Sequence, residues 1–114
     1  QFGKAIGKFQ AVAHRLVDMK LRLETARPLV YKIGWLKQNG RDATAEAALA
    51  KLYVSECYVQ NSLDAVRIFG ARGYVSETGV ERDLRDAVGG LIYSGTNDIQ
   101  KNIIAQSLLG LKSE

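Results

Sequence analysis

From Phe9 onward the apolar positions fall at Phe9, Val12, Leu16, Met19, Leu23, Ala26, Val30 and Ile33. The steps alternate between three and four, so all eight share one stripe of a long helix. At ~1.5 Å of rise per residue, that helix spans on the order of 40 Å. Pro28 falls inside the stripe. It lacks an N–H and its ring presses on the preceding turn, which predicts a kink near Glu24–Pro28 within one helix rather than two helices. Gln38-Asn39-Gly40 supplies the stop, with Gly40 free to take positive φ.

A second stripe reads Ala45, Leu49, Leu52, Glu56, Val59, Leu63, Val66 and predicts another long helix, with Thr44 as its cap and Phe69-Gly70 as its end. Glu56 puts a charge in that stripe; a place at its edge, or a basic partner, is the simplest expectation. The following GARGYVSETG carries three glycines and reads as a loop. Thr78 with Glu81 three residues on has the form of a capping box, opening a short third helix from Val80 to Val88. Gly89-Gly90 weakens its end, and Leu91-Ile92-Tyr93 is expected to pack inward. A fourth helix follows from Asp98 to Leu109, with Ile99, Ile103, Leu108 and Leu109 on its apolar side and Gly110 as its stop. With no sustained strand alternation, repeat or low-complexity tract, the pattern predicts an all-α fold. It is an antiparallel four-helix bundle forming a single domain over residues 1–114. Its long helices are expected to expose apolar surface meant for a partner.

Between the last two helices the pattern breaks at IYSGTNDIQ, Ile92 to Gln100. Such a break leaves unpaired N–H groups at the start of the next helix, a place for an anion or an electron-rich ligand edge. Gly95 permits close backbone approach, and the Thr96 hydroxyl can cap the helix or bond a ligand. From the spacing alone, a well-capped turn is the simpler account. Gly70-Ala71-Arg72-Gly73 follows a helix rather than a strand, so it is not a phosphate cradle of the strand–loop–helix kind.

Composition narrows the chemistry. Apolar residues make up 46% of the 114 and charged residues 25%, as in ordinary globular domains. The net charge of +4 comes from Lys and Arg scattered at helical spacing, which argues for a solvated face and against nucleic-acid binding. One cysteine, Cys57, and one histidine, His14, leave no intrachain disulfide and no metal-ligand set. No apolar run reaches the ~18 residues of a membrane span. QFGKAIGKFQ lacks the charged-then-apolar order of an export signal, so a cytoplasmic location is expected, or the mitochondrial matrix for a eukaryotic source. Spacing and composition by themselves yield a bundle without a visible reaction.

Three ordered segments say more. QFGKAIGKFQAVAHRLVDM, AKLYVSECYVQNSLDAVRIFGARGY and VERDLRDAVGGLIYSGTNDIQKNIIAQSLLG together resemble the C-terminal helical domain of acyl-CoA dehydrogenases over nearly the whole chain. The resemblance implies a fragment of a larger flavoprotein, in which FAD lies between a β domain and this bundle, across a dimer interface within a tetramer. It implies α,β-dehydrogenation of an acyl thioester, on coenzyme A or a carrier protein, with an electron-accepting flavoprotein as partner. In the usual reaction a carboxylate removes the α-proton and the β-hydrogen leaves as hydride to the flavin. Carried over by position, Phe2 and Gln10 match residues along the adenosine and pyrophosphate part of FAD. Gly70 and Ala71 match the loop that receives a neighbouring subunit's FAD. Arg67 stands where many members have Gln, a permanent cation in place of an amide. Thr96 and Asp98 match the segment on the flavin side, and Tyr93 and Gly95 the substrate side. Ser94 occupies the position where many members carry the catalytic Glu, and a serine hydroxyl is too weak a base for an α-proton without an activating partner. Three explanations stand: a base on an earlier helix before Gln1, a second kind of subunit that supplies the chemistry, or different chemistry on the same scaffold. A non-catalytic helical assembly module is the competing reading of the whole chain. The domain alone is expected to lack dehydrogenase activity and to self-associate through its apolar helix faces.

Overall fold

The computed structural model describes residues 2–111 and contains helices and turns without a strand among them. Helix α1 runs Gln10–Gln38, α2 Thr44–Phe69, α3 Ala71–Tyr74, α4 Val80–Gly89 and α5 Asn97–Leu109, with 3-10 turns at Ile6–Lys8 and Ser76–Thr78. Helix α1 passes through Pro28 as one helix and stops at Gly40, which takes φ +64° as the pattern predicts. Helices α1 and α2 are antiparallel. Contacts step up one helix as they step down the other: Arg15 to Asp64, Arg22 to Asn61, Thr25 to Tyr53, Lys32 to Glu46. Helix α2 lies in the middle, with α1, α4 and α5 packed on it.

Several local expectations give way. Thr44 opens α2 but does not cap it. Both its N–H (3.1 Å) and its hydroxyl (2.7 Å) donate to Asp42 Oδ1, so the aspartate two residues earlier organises the turn. The carboxyl of Asp42 is held below its ordinary range by those same bonds. The capping box is absent. Gly79, at φ +73°, is the N-cap of α4 with no side-chain cap, while Thr78 Oγ1 donates to the Arg72 carbonyl and Glu81 pairs with Arg85. GARGYVSETG is largely helical rather than a loop, because Gly73 allows close packing. A Cβ there would sit 2.7 Å from Phe69 Cβ and 2.9 Å from the Val66 carbonyl. Ile92 and Tyr93 do not pack inward; they are 64% and 61% exposed. The Tyr93 side chain lies over Gly89 and Gly90, at ordinary contact distance from where a Cβ on either would stand, 3.4 Å to its ring and 3.5 Å to its hydroxyl.

The core is thin. Its buried apolar residues are Ala26, Leu36, Ala43, Ala48, Ala50, Cys57 and Ala87, so small side chains let helices approach but bury little area. In the first stripe Leu16, Leu23 and Val30 stay nearly half exposed. In the second, Leu49 and Glu56 are exposed, because α2 is covered on more than one side and its buried positions do not form a single line. The molecule measures 60 × 24 × 24 Å and exposes 8216 Å². A compact monomer of this mass exposes about 6200 Å², so this shape leaves unburied much of the apolar surface its sequence supplies. Among the described residues, no helix is long and apolar enough to cross a membrane.

Candidate functional site

The break before α5 is built by two buried amides. Gln100 donates through Nε2 to the carbonyls of Ser94 (3.2 Å) and Gly95 (3.3 Å). Asn97 accepts at Oδ1 from Lys51 Nζ (2.7 Å) and Ser55 Oγ (3.1 Å) and donates from Nδ2 to Glu56 Oε1 (2.9 Å). Its backbone N–H returns to the Leu91 carbonyl at 3.0 Å. Glu56 is exposed at the edge of its stripe, the first of its two expected placements, and accepts from this amide. The chain between takes two consecutive left-handed residues, Ser94 at φ +56° and Gly95 at φ +78°. Thr96 caps α5, its Oγ1 accepting from the Ile99 N–H at 3.3 Å. Among the described residues, the N–H groups of Ser94, Gly95 and Thr96 meet no acceptor. Asp98 is exposed beside Lys101.

Ser94 sits between two clefts. One, of ≈ 310 Å³, is mostly apolar and is lined by Lys51, Val54, Tyr58, Gly90 and Tyr93. The other, of ≈ 540 Å³, is bordered by Lys37, Arg41, Asp42, Lys51 and Gln100. No proton acceptor stands ready beside Ser94. The first cleft holds no carboxylate, Asp42 in the second is engaged by Thr44, and Glu56 lines neither. Burial, followed by the charges of Asp83 and Asp86, pushes the Tyr58 phenol above its ordinary range, so it stays protonated near neutrality. His14 lies elsewhere, against Arg15, Asp18 and Gln60.

The remaining sequence-derived positions gather at the other end of α2. Phe2, 79% exposed, sets its ring edge-on to Phe9 at 5.5 Å. Gln10 Nε2 lies 3.3 Å from His14 Nε2. The exposed Arg67 reaches Asp64 at 3.6 Å. Gly70, at φ +60°, has no atom within 4 Å of where a Cβ would stand, and Ala71 opens α3. At ~1.5 Å per residue, the twelve positions from Ser55 to Arg67 put about 18 Å between the two groups along α2, and no cleft joins them.

Asp64 was not legible as a site residue. It is buried, and Arg22 (2.7 Å), Arg15 (3.1 Å) and Arg67 converge on it. Burial raises its pKa, but the hydrogen bonds from Arg22 and Arg15 outweigh burial and hold the carboxyl below its ordinary range. Asn97, Gln100 and Gly73 were also missed. The first two lie within the Ile92–Gln100 break, but burial of an amide leaves no periodic mark.

A family model described as acyl-CoA dehydrogenase, C-terminal domain, matches residues 1–109. L-prolyl-[peptidyl-carrier protein] dehydrogenase of Serratia sp. (strain ATCC 39006) is 50% identical over 108 residues, covering 95% of this chain and 28% of that protein. The short-chain specific acyl-CoA dehydrogenase of Megasphaera elsdenii is 44% identical over 109 residues, 96% of this chain and 28% of that protein. Among solved structures, the prolyl acyl carrier protein oxidase AnaB is 54% identical with a TM-score of 0.90, covering 95% of this chain and 29% of that one. PigA with FAD and proline is 50% identical with a TM-score of 0.90, covering 99% and 29%. The chain thus spans under a third of the length of these relatives.

Proposed function

The chain belongs to the acyl-CoA dehydrogenase family, as its C-terminal domain; from that premise we propose that it is part of a larger flavoprotein that dehydrogenates acyl thioesters. The observation that carries this reading is the break at Ser94–Thr96, where three successive N–H groups meet no acceptor among the described residues and Ser94 itself lines an apolar cleft. Such donors, fixed before the substrate arrives, suit a thioester oxygen on which negative charge grows as the α-proton leaves.

FAD fits both ends of the chain. At one end, an exposed aromatic ring at Phe2, an amide at Gln10, the Arg67 guanidinium and the open backbone at Gly70 and Ala71 suit an adenosine and its pyrophosphate. At the other, Thr96 and Asp98 border the break, with Tyr93 and Gly95 on the substrate side. When bound, the flavin supplies the acceptor for the β-hydride. The two groups are about 18 Å apart along α2 and no cleft joins them; as the family resemblance implies, one cofactor takes its contacts from two copies of the chain, each giving a different group. The uncovered apolar surface supports the same assembly, a dimer or tetramer. An electron-accepting flavoprotein then reoxidises the enzyme.

Ser94 is not the base in this reading. No group on the clefts beside it activates it, and a carboxylate from outside these 114 residues takes the α-proton. Ser94→Glu in the complete protein is accordingly expected to raise activity little. Carrier-bound prolyl thioester is favoured over an acyl-CoA, since identity reaches 50% and 54% with relatives named for prolyl carriers and 44% with the short-chain acyl-CoA enzyme. The test is anaerobic mixing of the complete flavoprotein with prolyl-carrier protein or butyryl-CoA. Bleaching of the flavin by the prolyl thioester is expected; bleaching by neither, or failure to retain flavin at all, overturns the reading.

A further inference from the structure

We propose that Asn97 is a positioning residue of this site: its carboxamide, held between Lys51 and Glu56, keeps the break in the shape that turns the Ser94, Gly95 and Thr96 N–H groups outward. The inference rests on the reading above for its purpose, and on geometry for its mechanism.

Two successive left-handed residues, one of them not glycine, do not persist unless their surroundings over-determine them. Asn97 provides that constraint at both edges. Its N–H closes on the Leu91 carbonyl, so Leu91 and Asn97 pinch the break shut, while its side chain pins the closed loop to α2. Gln100 then draws the Ser94 and Gly95 carbonyls inward, leaving the N–H groups without internal partners. The residue type matters because donors and acceptor lie on opposite sides. The oxygen faces an ammonium and a hydroxyl, and the NH₂ faces a carboxylate, so only one orientation of an amide satisfies all three. Asn97 is buried and lines neither cleft beside Ser94, so it touches no substrate and acts through the backbone it holds.

An aspartate at this position keeps the Lys51 contact and sets an oxygen against Glu56. Adding Glu56→Gln restores the bond with its polarity reversed, the new amide donating to the new carboxylate. In the complete flavoprotein, Asn97→Asp is expected to speed hydrogen exchange at the hydrogen-bonded amides of Ile92, Tyr93 and Asn97 by about tenfold or more. It is expected to lower kcat on prolyl-carrier protein by about ten- to a hundredfold, the cost of a misplaced catalytic geometry. KM for the electron acceptor stays as it was. The Asn97→Asp, Glu56→Gln double variant is expected to recover most of both losses, which a general loss of packing would not allow. Wild-type exchange in Asn97→Asp, or a folded double variant no better than the single, overturns the proposal. Should Asn97→Asp not fold, Asn97→Ser carries the test: its shorter hydroxyl cannot bridge Lys51 and Glu56, and unchanged exchange at Ile92, Tyr93 and the residue 97 amide overturns the idea. Turnover of no thioester by the wild type would instead remove the reading of the site, and the exchange rates would still decide the role of Asn97.

Discussion

Near its C-terminal end α2 buries Asp64 under three arginines; nearer its middle it receives Asn97 from α5 between a lysine and a glutamate. Both residues are polar, both are buried, and both tie α2 to a neighbour more than forty positions away. They differ in what they specify. A carboxylate only accepts, so it gathers cations from whatever direction they come and clamps α1 to α2 without dictating the shape of a loop. A carboxamide accepts on one side and donates on the other, so it also dictates an orientation. The charged hub is built for holding and the neutral hub for aiming.

Removing the holder is expected to cost the most. Asp64→Ala leaves Arg15, Arg22 and Arg67 without their shared carboxylate. The loss is about 3 kcal/mol, the low end for a buried ion pair because the guanidinia keep partial access to water. Chemical or thermal unfolding of the complete protein measures it, and an unchanged midpoint would break the distinction between the two hubs. Next comes the aiming side. Gly95→Ala combines a left-handed φ with a Cβ 2.7 Å from Gln100 Nε2, so Gln100 must let go of the carbonyls it holds. A loss of about 2 kcal/mol is expected, with faster exchange confined to the break.

The two hubs should also separate by pH. The Asp64 carboxyl titrates below its ordinary value when folded, so its stabilisation is fully present above the unfolded value near 3.8 and is lost as pH falls through the lower folded value. Unfolding measured from neutrality downward is expected to show wild type and Asp64→Asn converging below that point, since the asparagine variant has no such proton to take up. The smallest effect runs the other way. Ser94→Gly relieves the left-handed strain of a side-chain-bearing residue and is expected to stabilise by roughly 1 kcal/mol, leaving the Asn97 contacts in place.

The helices were largely legible before the fold was known, because each is a local pattern. The first stripe opens at Phe9, one residue before α1, and the glycine stops stand one residue past α2 (Gly70) and α5 (Gly110) and two past α1 (Gly40). The break at Ser94–Thr96 showed itself for the same reason, an interruption in a period. Caps read less well. Thr44 and Thr78 have the right identity in the right place, yet Asp42 and Gly79 take over, since a cap depends on φ and ψ that the motif does not state.

What the sequence determined by itself was a set of amphipathic helices, their stops, and a polar interruption at Ser94-Gly95-Thr96. Only the tertiary structure decided that Asp64 and Asn97 are buried, which partners they have, and that the candidate site positions fall into two separate groups. The physical reason is range. Helical periodicity is set by neighbours three and four positions away, whereas the worth of a buried polar group is set by partners forty positions away that come within hydrogen-bonding distance only once the helices have packed.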